Sequence, residues 1–188
     1  MIGLEAQTLL ERFHQLTEHR QSHSMRVIGV MEELADRHGL DPELARWAGF
    51  GHDLAREFSR PCLLAESRRL NLDGDEFMTS EPILWHGPIA AKWLQNQNIG
   101  DPSVWQAIRY HTTAGPGLGP MAKALFIADA VEPGRSFPAR EGLQALALKD
   151  LESGYRAVLE ATVSYTQQRG LALHPDTVKA LRESDNRG

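Results

Sequence analysis

Apolar residues recur along almost the whole chain at the three- and four-residue spacing of amphipathic helices, and no segment shows the alternation typical of a strand. Leu9, Phe13 and Leu16, for example, share one face of the first such segment. Asp41-Pro42 and Asp101-Pro102 are helix start signals, because Asp caps a helix and Pro fits its first position. The pattern predicts an all-α protein, a bundle of about nine or ten helices.

Glycine and proline mark the interruptions in this pattern. The segment 71–80 is polar and contains Gly, and the segment 113–120 holds three Gly and two Pro, so both are predicted loops. Gly87-Pro88 should either kink a helix or mark its true beginning. There is no repeat, low-complexity tract or linker, so the 188 residues predict one domain. Its core would cover about 10–170, followed by a short helix and frayed tail over 174–188.

Composition and charge narrow the classes of partner. With 41% hydrophobic residues and a formal net charge of −5, the chain resembles an ordinary globular protein and lacks the cationic excess of a general nucleic-acid binder. A few local arginines could still hold a polyphosphate. No apolar run approaches the ~20 residues that span a bilayer, and the first residues do not resemble a signal peptide. The lone Cys62 is predicted to be a packed side chain in a reducing compartment. We therefore expect a cytoplasmic protein with neither nucleic-acid nor membrane partners.

The eight histidines stand in two kinds of setting. Three, His52, His86 and His111, end or adjoin apolar helical segments, and His52 is followed directly by Asp53. Asp129 lies inside an apolar run, where an unpaired carboxylate is costly to bury and a divalent metal is a good partner. Each signal alone is weak, since a single histidine beside apolar residues is more often a packed, hydrogen-bonded side chain. Four other histidines are predicted to be solvated: His14, His19, His38 and His174.

An ordered set of acids and histidines carries more weight, because its members lie on separate predicted helices that can project ligands into one core. The six candidate metal ligands are His23, His52, Asp53, His86, His111 and Asp129. Four imidazoles and two carboxylates suit Fe, Mn, Zn or Co better than Ca or Mg. Six ligands are too many for one metal with an open position, so the set predicts two divalent metals that share Asp53. Such metals, roughly 3.5–4 Å apart, would activate a bridging hydroxide and hold a phosphoryl oxygen.

The order H…HD…H…H…D resembles that of the HD-domain superfamily, and the flanking residues are similar to those of the YqeK family within it. The motifs that carry the resemblance are His23-Ser-Met-Arg26-Val, Gly51-His-Asp-Leu-Ala-Arg56, Leu84-Trp-His-Gly-Pro88, His111-Thr112-Thr113 and Ile127-Ala-Asp-Ala-Val-Glu-Pro-Gly-Arg135. The resemblance covers about residues 10–170. It implies a helical bundle of the HD type that hydrolyses diadenosine tetraphosphate symmetrically to two ADP.

The resemblance also implies how the metals are held. One iron would be bound by His23, His52, Asp53 and Asp129, and the second by Asp53, His86 and His111. The predicted catalytic residues are Asp53, Arg26, His86 and Arg135. Two positions depart from the family: Gly51 stands where a larger apolar residue or Cys is usual, and Arg56 stands where Lys is common. Arg keeps the charge of Lys but changes the geometry of its donors.

An anionic substrate calls for cations near the metals. Arg26 lies three residues after His23, on nearly the same helix face. The predicted substrate-binding residues are Arg26, Arg56, Thr112, Lys123 and Arg135; for each, the alternative is a surface ion pair or a helix cap. Glu132 would either orient a ligand histidine or pair with Arg135. The aromatic residues Trp85, Trp93, Trp105 and Tyr110 are predicted to be mostly core, and one aromatic side chain could stack on a base without the sequence indicating which.

Three other functions stay open at this point. The same ligands would serve a nucleotide monophosphatase or cyclic-nucleotide phosphodiesterase of the HD type. A di-iron oxygenase is a second alternative, although the block ending in Glu132-Pro-Gly-Arg135 points away from it. A non-catalytic nucleotide-binding module is the third, and the complete ligand set argues against it. A homodimer is compatible with the sequence.

Overall fold

Helices make up most of residues 4–185, the part of the chain that this computed structural model describes, and this part contains no strand. The eleven α-helices are α1 (Leu4–Gln15), α2 (Glu18–His38), α3 (Pro42–Gly51), α4 (Arg60–Arg69), α5 (Glu76–Ser80), α6 (His86–Asn96), α7 (Pro102–Tyr110), α8 (Pro120–Val131), α9 (Arg140–Lys149), α10 (Leu151–Gln168) and α11 (Pro175–Asp185). Ten of these helices have nine residues or more, and α5 has only five. The all-α class and the predicted number of nine or ten helices are therefore confirmed.

Side chains predicted to cap helices do so. The Asp41 carboxylate accepts hydrogen bonds from the first backbone N–H groups of α3, and Asp101 does the same for α7. These bonds satisfy donors that have no partner inside the helix. Gly39 ends α2 in the left-handed conformation, with φ of 65°, which glycine adopts at little cost.

The structure decides what happens at two predicted interruptions of the helical pattern, the segment 71–80 and Gly87-Pro88. The loop predicted over 71–80 is wrong for its second half, because Asp75 caps the short α5 and Met78 is buried against the core. Gly87-Pro88 marks a beginning and not a kink, since α6 starts at His86 after a 3-10 turn over Pro82–Trp85. Pro88 therefore lies in the first turn, where a missing N–H group costs no hydrogen bond.

The centre of the core is α8. Residues 121–128 are all buried, because α2, α3, α7, α9 and α10 pack around this helix. A helix that is apolar on every side needs such complete cover. Asp129 follows directly after this buried stretch, so its carboxylate emerges where α2, α3 and α7 approach α8. No helix in the described range is long and apolar enough to cross a bilayer.

Two predictions about single side chains are wrong. Cys62 is exposed, because it lies in the first turn of α4 on the side away from the core. His174 is buried, because its Nδ1 accepts the backbone N–H of Asp176 and its Nε2 lies 3.4 Å from Asp75 Oδ2. His174 thus joins the start of α11 to the start of α5.

Candidate metal centre

Six side chains from five parts of the fold meet at one place. Their nitrogen and oxygen atoms form two groups, each with ligand atoms within 4.8 Å of one another. The first group is His23 of α2, His52 after α3 and Asp129 of α8. The second is Asp53 after α3, His86 at the start of α6 and His111 after α7. The structure therefore brings together all six predicted ligands.

Asp53 lies between the two groups, with one carboxylate oxygen toward each. Its Oδ2 is 3.8 Å from His23 Nε2 and 3.7 Å from His52 Nε2. Its Oδ1 is 3.4 Å from His86 Nε2 and 3.8 Å from His111 Nε2. The Asp53 side chain is 4% exposed. This is the arrangement expected of a carboxylate that bridges two metals.

Three of the histidines are oriented by the same kind of local hydrogen bond. The ring Nδ1 of each donates to the backbone carbonyl three residues earlier: His52 to Gly49 (2.7 Å), His86 to Ile83 (2.5 Å) and His111 to Ile108 (2.7 Å). Carbonyls in the last turn of a helix lack an intrahelical donor, so the rings of His52 and His111 satisfy them at the ends of α3 and α7. A carbonyl only accepts, so Nδ1 carries the proton, and a neutral ring then presents an unprotonated Nε2 to the centre.

Glu132 orients the fourth histidine. Its Oε1 accepts from His23 Nδ1 at 3.1 Å, and its Oε2 accepts from Arg26 Nε and from the backbone N–H of Gly134, both at 2.5 Å. Burial alone would raise the pKa of Glu132, but these three donors hold it below its usual value. Of the two roles suggested by the sequence, the structure therefore shows Glu132 orienting a ligand histidine, while Arg135 Nε lies 3.8 Å from its Oε1.

The charges at the centre suit a cation. Burial lowers the pKa of His111 to about 3, helped by the neighbouring His86 and His52, so this ring is neutral at physiological pH. Burial would raise the pKa of Asp53 and Asp129, but the surrounding histidines, with Arg135 at Asp129, hold both well below the usual range. His86 Nε2 and His111 Nε2 are only 3.0 Å apart, and His23 Nε2 and His52 Nε2 are 3.2 Å apart. Converging lone pairs and two carboxylates form a donor set that fits divalent metals.

Comparison with known proteins identifies this arrangement. A family model described as the HD domain matches residues 20–134 of the chain, which is more than half of it and includes all six ligand positions. The chain belongs to the HD domain family. Family membership and the His/Asp cluster together indicate that this HD domain binds divalent metal.

Named relatives agree with the resemblance found in the motifs. The symmetrical bis(5'-nucleosyl)-tetraphosphatase of Bacillus subtilis (strain 168) is 32% identical over 168 residues, 87% of this chain and 88% of that protein. The protein of the same name from Halalkalibacterium halodurans is also 32% identical, over 89% of this chain and 90% of that protein. A crystal structure from Clostridium acetobutylicum, described as a predicted HD superfamily hydrolase involved in NAD metabolism, has a TM-score of 0.90 and 27% identity, covering 97% of both chains. The predicted family is therefore confirmed.

Four of the five predicted substrate-binding residues of this HD domain lie at or near the cluster of predicted ligands. Arg135 Nη2 lies 2.6 Å from Asp129 Oδ1, and Arg26 pairs with Glu132, so both flank the cluster. The Thr112 hydroxyl lies 3.1 Å from His111 Nε2. Arg56 is half-buried nearby; burial lowers its pKa, and Asp53 acts against this shift.

Lys123 is the exception among these residues. Its Nζ bonds both oxygens of Glu152, at 2.5 and 2.7 Å, beside Tyr155 and away from the cluster. The expectation of a substrate contact is corrected here. Lys123 lies six residues before Asp129 on α8, and at about 100° per residue it projects from a different face of the helix.

Arg20 is a residue at the cluster that the sequence argument missed. Its Nη1 donates to Asp53 Oδ2 at 2.9 Å. The available signal was spacing, since Arg20 lies three residues before His23, as Arg26 lies three residues after it.

A cavity of about 510 Å³ adjoins the centre of this HD domain. One end is lined by His111, Thr112, Asp129 and Arg135. The remaining wall is mainly apolar and aromatic, formed by Phe126, Phe137, Leu143, Val158, Ala161 and Tyr165. The aromatic residues noted in the sequence lie elsewhere, and Trp85 and Trp93 are buried as expected. Phe137 and Tyr165, which the sequence did not single out, are 38% and 60% exposed.

Gly87 offers a test of how closely the ligand helices pack. A Cβ at this position would lie 2.7 Å from Ile108 O and 3.2 Å from His111 Nδ1, the two atoms whose hydrogen bond orients His111. We expect Gly87→Ala to lower the free energy of unfolding by about 1–3 kcal/mol and to reduce metal affinity, measured by denaturant unfolding and metal titration.

Gly142 provides the matched control for that substitution. It lies on α9, and a Cβ there would meet nothing within 4 Å. Gly142→Ala should leave metal affinity unchanged and stabilise slightly, by about 0.4–1 kcal/mol. Equal metal affinity in the two variants would show that the contact at Gly87 is unimportant for the centre.

Proposed function

We propose that this chain hydrolyses dinucleoside tetraphosphates, diadenosine tetraphosphate among them, symmetrically to two nucleoside diphosphates. The observation that carries the proposal is Asp53, a buried carboxylate with one oxygen toward each of two ligand groups. The relatives named as symmetrical tetraphosphatases, which match along most of their length, supply the substrate class.

The proposed cofactor is two divalent metal ions. In this proposal His23, His52, Asp53 and Asp129 hold one ion, and Asp53, His86 and His111 hold the other. Iron is favoured by the family resemblance, with Mn, Co and Zn as alternatives that the same donors suit. When bound, such metals supply an activated water nucleophile and positive charge for phosphoryl oxygens.

The chain's own cations complete the proposed site. Arg26 and Arg135 each bond a carboxylate of the centre while their side chains remain 34% and 43% exposed. Both can therefore also face substrate oxygens and hold charge that develops on the phosphates. Together with Asp53 and His86 they are the proposed catalytic residues, and Thr112 and Arg56 are proposed substrate contacts.

The cavity beside the centre is proposed to hold one nucleoside. Its volume of about 510 Å³ is within the range of small-molecule sites. Arg135 and Asp129 stand at the end nearest the metals, and the aromatic rings of Phe137 and Tyr165 form part of the wall. Such rings stack on any base, because every base has a π-face.

Replacement of Tyr165 tests this placement. We expect Tyr165→Ala to raise KM for diadenosine tetraphosphate about five- to a hundredfold with little change in kcat, in line with stacking energies of about 1–3 kcal/mol. Leu171 is the matched control, since it is equally exposed at 60% and does not line the cavity. If Leu171→Ala and Tyr165→Ala give the same KM, the base does not lie against Tyr165.

A substrate panel separates the proposed function from its alternatives. Anaerobically purified, metal-loaded protein would be offered diadenosine tetraphosphate, AMP, cyclic AMP and NAD, with oxygen uptake followed separately. NAD is included because the Clostridium acetobutylicum protein is described as involved in NAD metabolism. Preferred turnover of AMP or cyclic AMP would favour a phosphatase or phosphodiesterase, and oxygen uptake would favour an oxygenase. Nucleotide binding without turnover would favour a regulatory module.

Several broader expectations stay predictions. These are a single-domain organisation over residues 1–188, a cytoplasmic location, the absence of nucleic-acid and membrane partners, and a homodimer. Size measurement in solution tests the last of them.

A further inference from the structure

Arg20 shares the buried carboxylate at the heart of the centre. Its Nη1 lies 2.9 Å from Asp53 Oδ2, the oxygen that faces His23 and His52. The Arg20 side chain is 25% exposed, whereas that of Asp53 is 4% exposed. The guanidinium group thus reaches from the open edge of the site to an atom that the proposed metals also require.

The start of α2 holds Arg20 in this position. Thr17 caps the helix and accepts the backbone N–H of Arg20. The backbone N–H and the hydroxyl of Thr17 both donate to the Glu57 carboxylate, at 2.9 and 2.6 Å. Glu57 lies four residues after Asp53, so these bonds tie the start of α2 to the segment that carries the bridging carboxylate.

Arg56 shares the acidic groups on this side of the site with Arg20. Arg20 lies close enough to Arg56 to disfavour the charge of the Arg56 guanidinium, whereas Asp53 and Asp129 favour it. The Arg56 backbone N–H donates to Asp53 O, whereas its guanidinium makes no hydrogen bond or ion pair with the residues that the structure describes. Glu57, the other acid near Arg20, already accepts both bonds from Thr17. Asp53, a buried carboxylate, is therefore a counter-charge that both guanidinium groups share.

Binding of metal at Asp53 changes this balance. If metal ions were held by the Asp53 carboxylate, less of its negative charge would face Arg20 and Arg56, and phosphate oxygens would be a suitable partner for these planar guanidinium donors. We propose that Arg20 is a phosphate-binding residue of this centre, which pairs with Asp53 Oδ2 before substrate arrives and with a substrate phosphate afterwards. Arg20 would hold phosphate near Asp53, as Arg135 is proposed to do near Asp129. This inference rests on the proposed function.

Binding measurements on metal-loaded protein test the assignment without turnover. Inorganic phosphate and ADP would be titrated calorimetrically into wild type, Arg20→Ala and Arg20→Lys, with metal content and Tm recorded for each. Arg46→Ala is the matched control, because Arg46 also pairs with a carboxylate, Glu32, but on an exposed surface. We expect Arg20→Ala to bind ADP about ten- to a hundredfold more weakly, as for lost charge-assisted hydrogen bonds, with metal content unchanged. Arg20→Lys should recover part of the affinity, and Arg46→Ala should behave like wild type.

Two results would overturn the inference. In the first, Arg20→Ala loses metal while its metal-loaded fraction binds phosphate normally, so that Arg20 serves only as a counter-ion of Asp53. In the second, Arg20→Ala binds inorganic phosphate and ADP as tightly as wild type does. The proposed function fails separately: if wild type does not cleave tetraphosphates but binds phosphate through Arg20, the inference stands without that function.

Discussion

Asp53→Ala is expected to abolish hydrolysis and metal retention together. The Asp53 carboxylate has one oxygen toward each ligand group, and its loss leaves His23 and His52 on one side, and His86 and His111 on the other, without this shared anion. Metal content per chain and turnover of diadenosine tetraphosphate would be measured on the same preparation. We expect the metal content to fall from two per chain to near zero. His52→Ala, which removes a fully buried ligand, should have the same effect.

Asp41→Ala is the control for the loss of a negative charge. Asp41 is exposed and caps α3, the helix that leads to His52 and Asp53. Its loss should cost about 1 kcal/mol of stability and leave both metals bound. Full metal stoichiometry in Asp53→Ala and in His52→Ala would contradict the bridging assignment, whatever happened to activity.

Glu132→Ala should have the second-largest effect, although Glu132 is not itself a ligand. The substitution leaves the His23 ring, the Arg26 guanidinium and the Gly134 N–H without their shared acceptor in a place where Glu132 is 2% exposed. Because Arg26 is 34% exposed, we expect a smaller loss than for a fully buried ion pair, about 1–3 kcal/mol for the groups left without their acceptor. Loss of a group that orients a ligand lowers metal affinity by about ten- to a hundredfold. Denaturant unfolding and metal titration measure the two effects.

Two further variants provide comparisons for the loss of stability and metal affinity in Glu132→Ala. Glu132→Gln keeps the size and an acceptor, so we expect it to fall between wild type and Glu132→Ala. Glu160→Ala breaks an exposed ion pair with Arg156, which should cost no more than about 1 kcal/mol. A loss in Glu132→Ala no greater than that in Glu160→Ala would show that Glu132 does not support His23.

Most of the fold could be predicted from the sequence, because helix periodicity and capping are local properties. The Asp-Pro signals at 41–42 and 101–102 begin α3 and α7 as expected. The errors arise where a contact between distant segments decides the outcome. Burial of Met78 against the core stabilises a five-residue helix, α5, inside a polar segment. His174, which its neighbours in sequence predict to be solvated, is buried beside Asp75 and α5.

The ligand set was more predictable than its surroundings. The six ligands occur in a fixed order with recognisable neighbours, whereas the contacts of an arginine or an aromatic ring depend on which helices pack together. Arg20 reaches Asp53 across 33 positions of sequence. Phe137 and Tyr165 meet at one cavity from the loop after α8 and from α10. Lys123 pairs with Glu152, because the helix face from which a side chain projects, and not its distance along the chain, decides its contacts.

The most direct test of the central claim is identification of the products from diadenosine tetraphosphate. Metal-loaded wild-type protein would be incubated with the substrate, and the nucleotides would be separated by ion-exchange chromatography at early times. We expect ADP as the sole nucleotide product, two for each substrate consumed, with none formed by Asp53→Ala. Equal amounts of ATP and AMP, or no cleavage by protein that holds its metals, would contradict symmetrical hydrolysis at this centre.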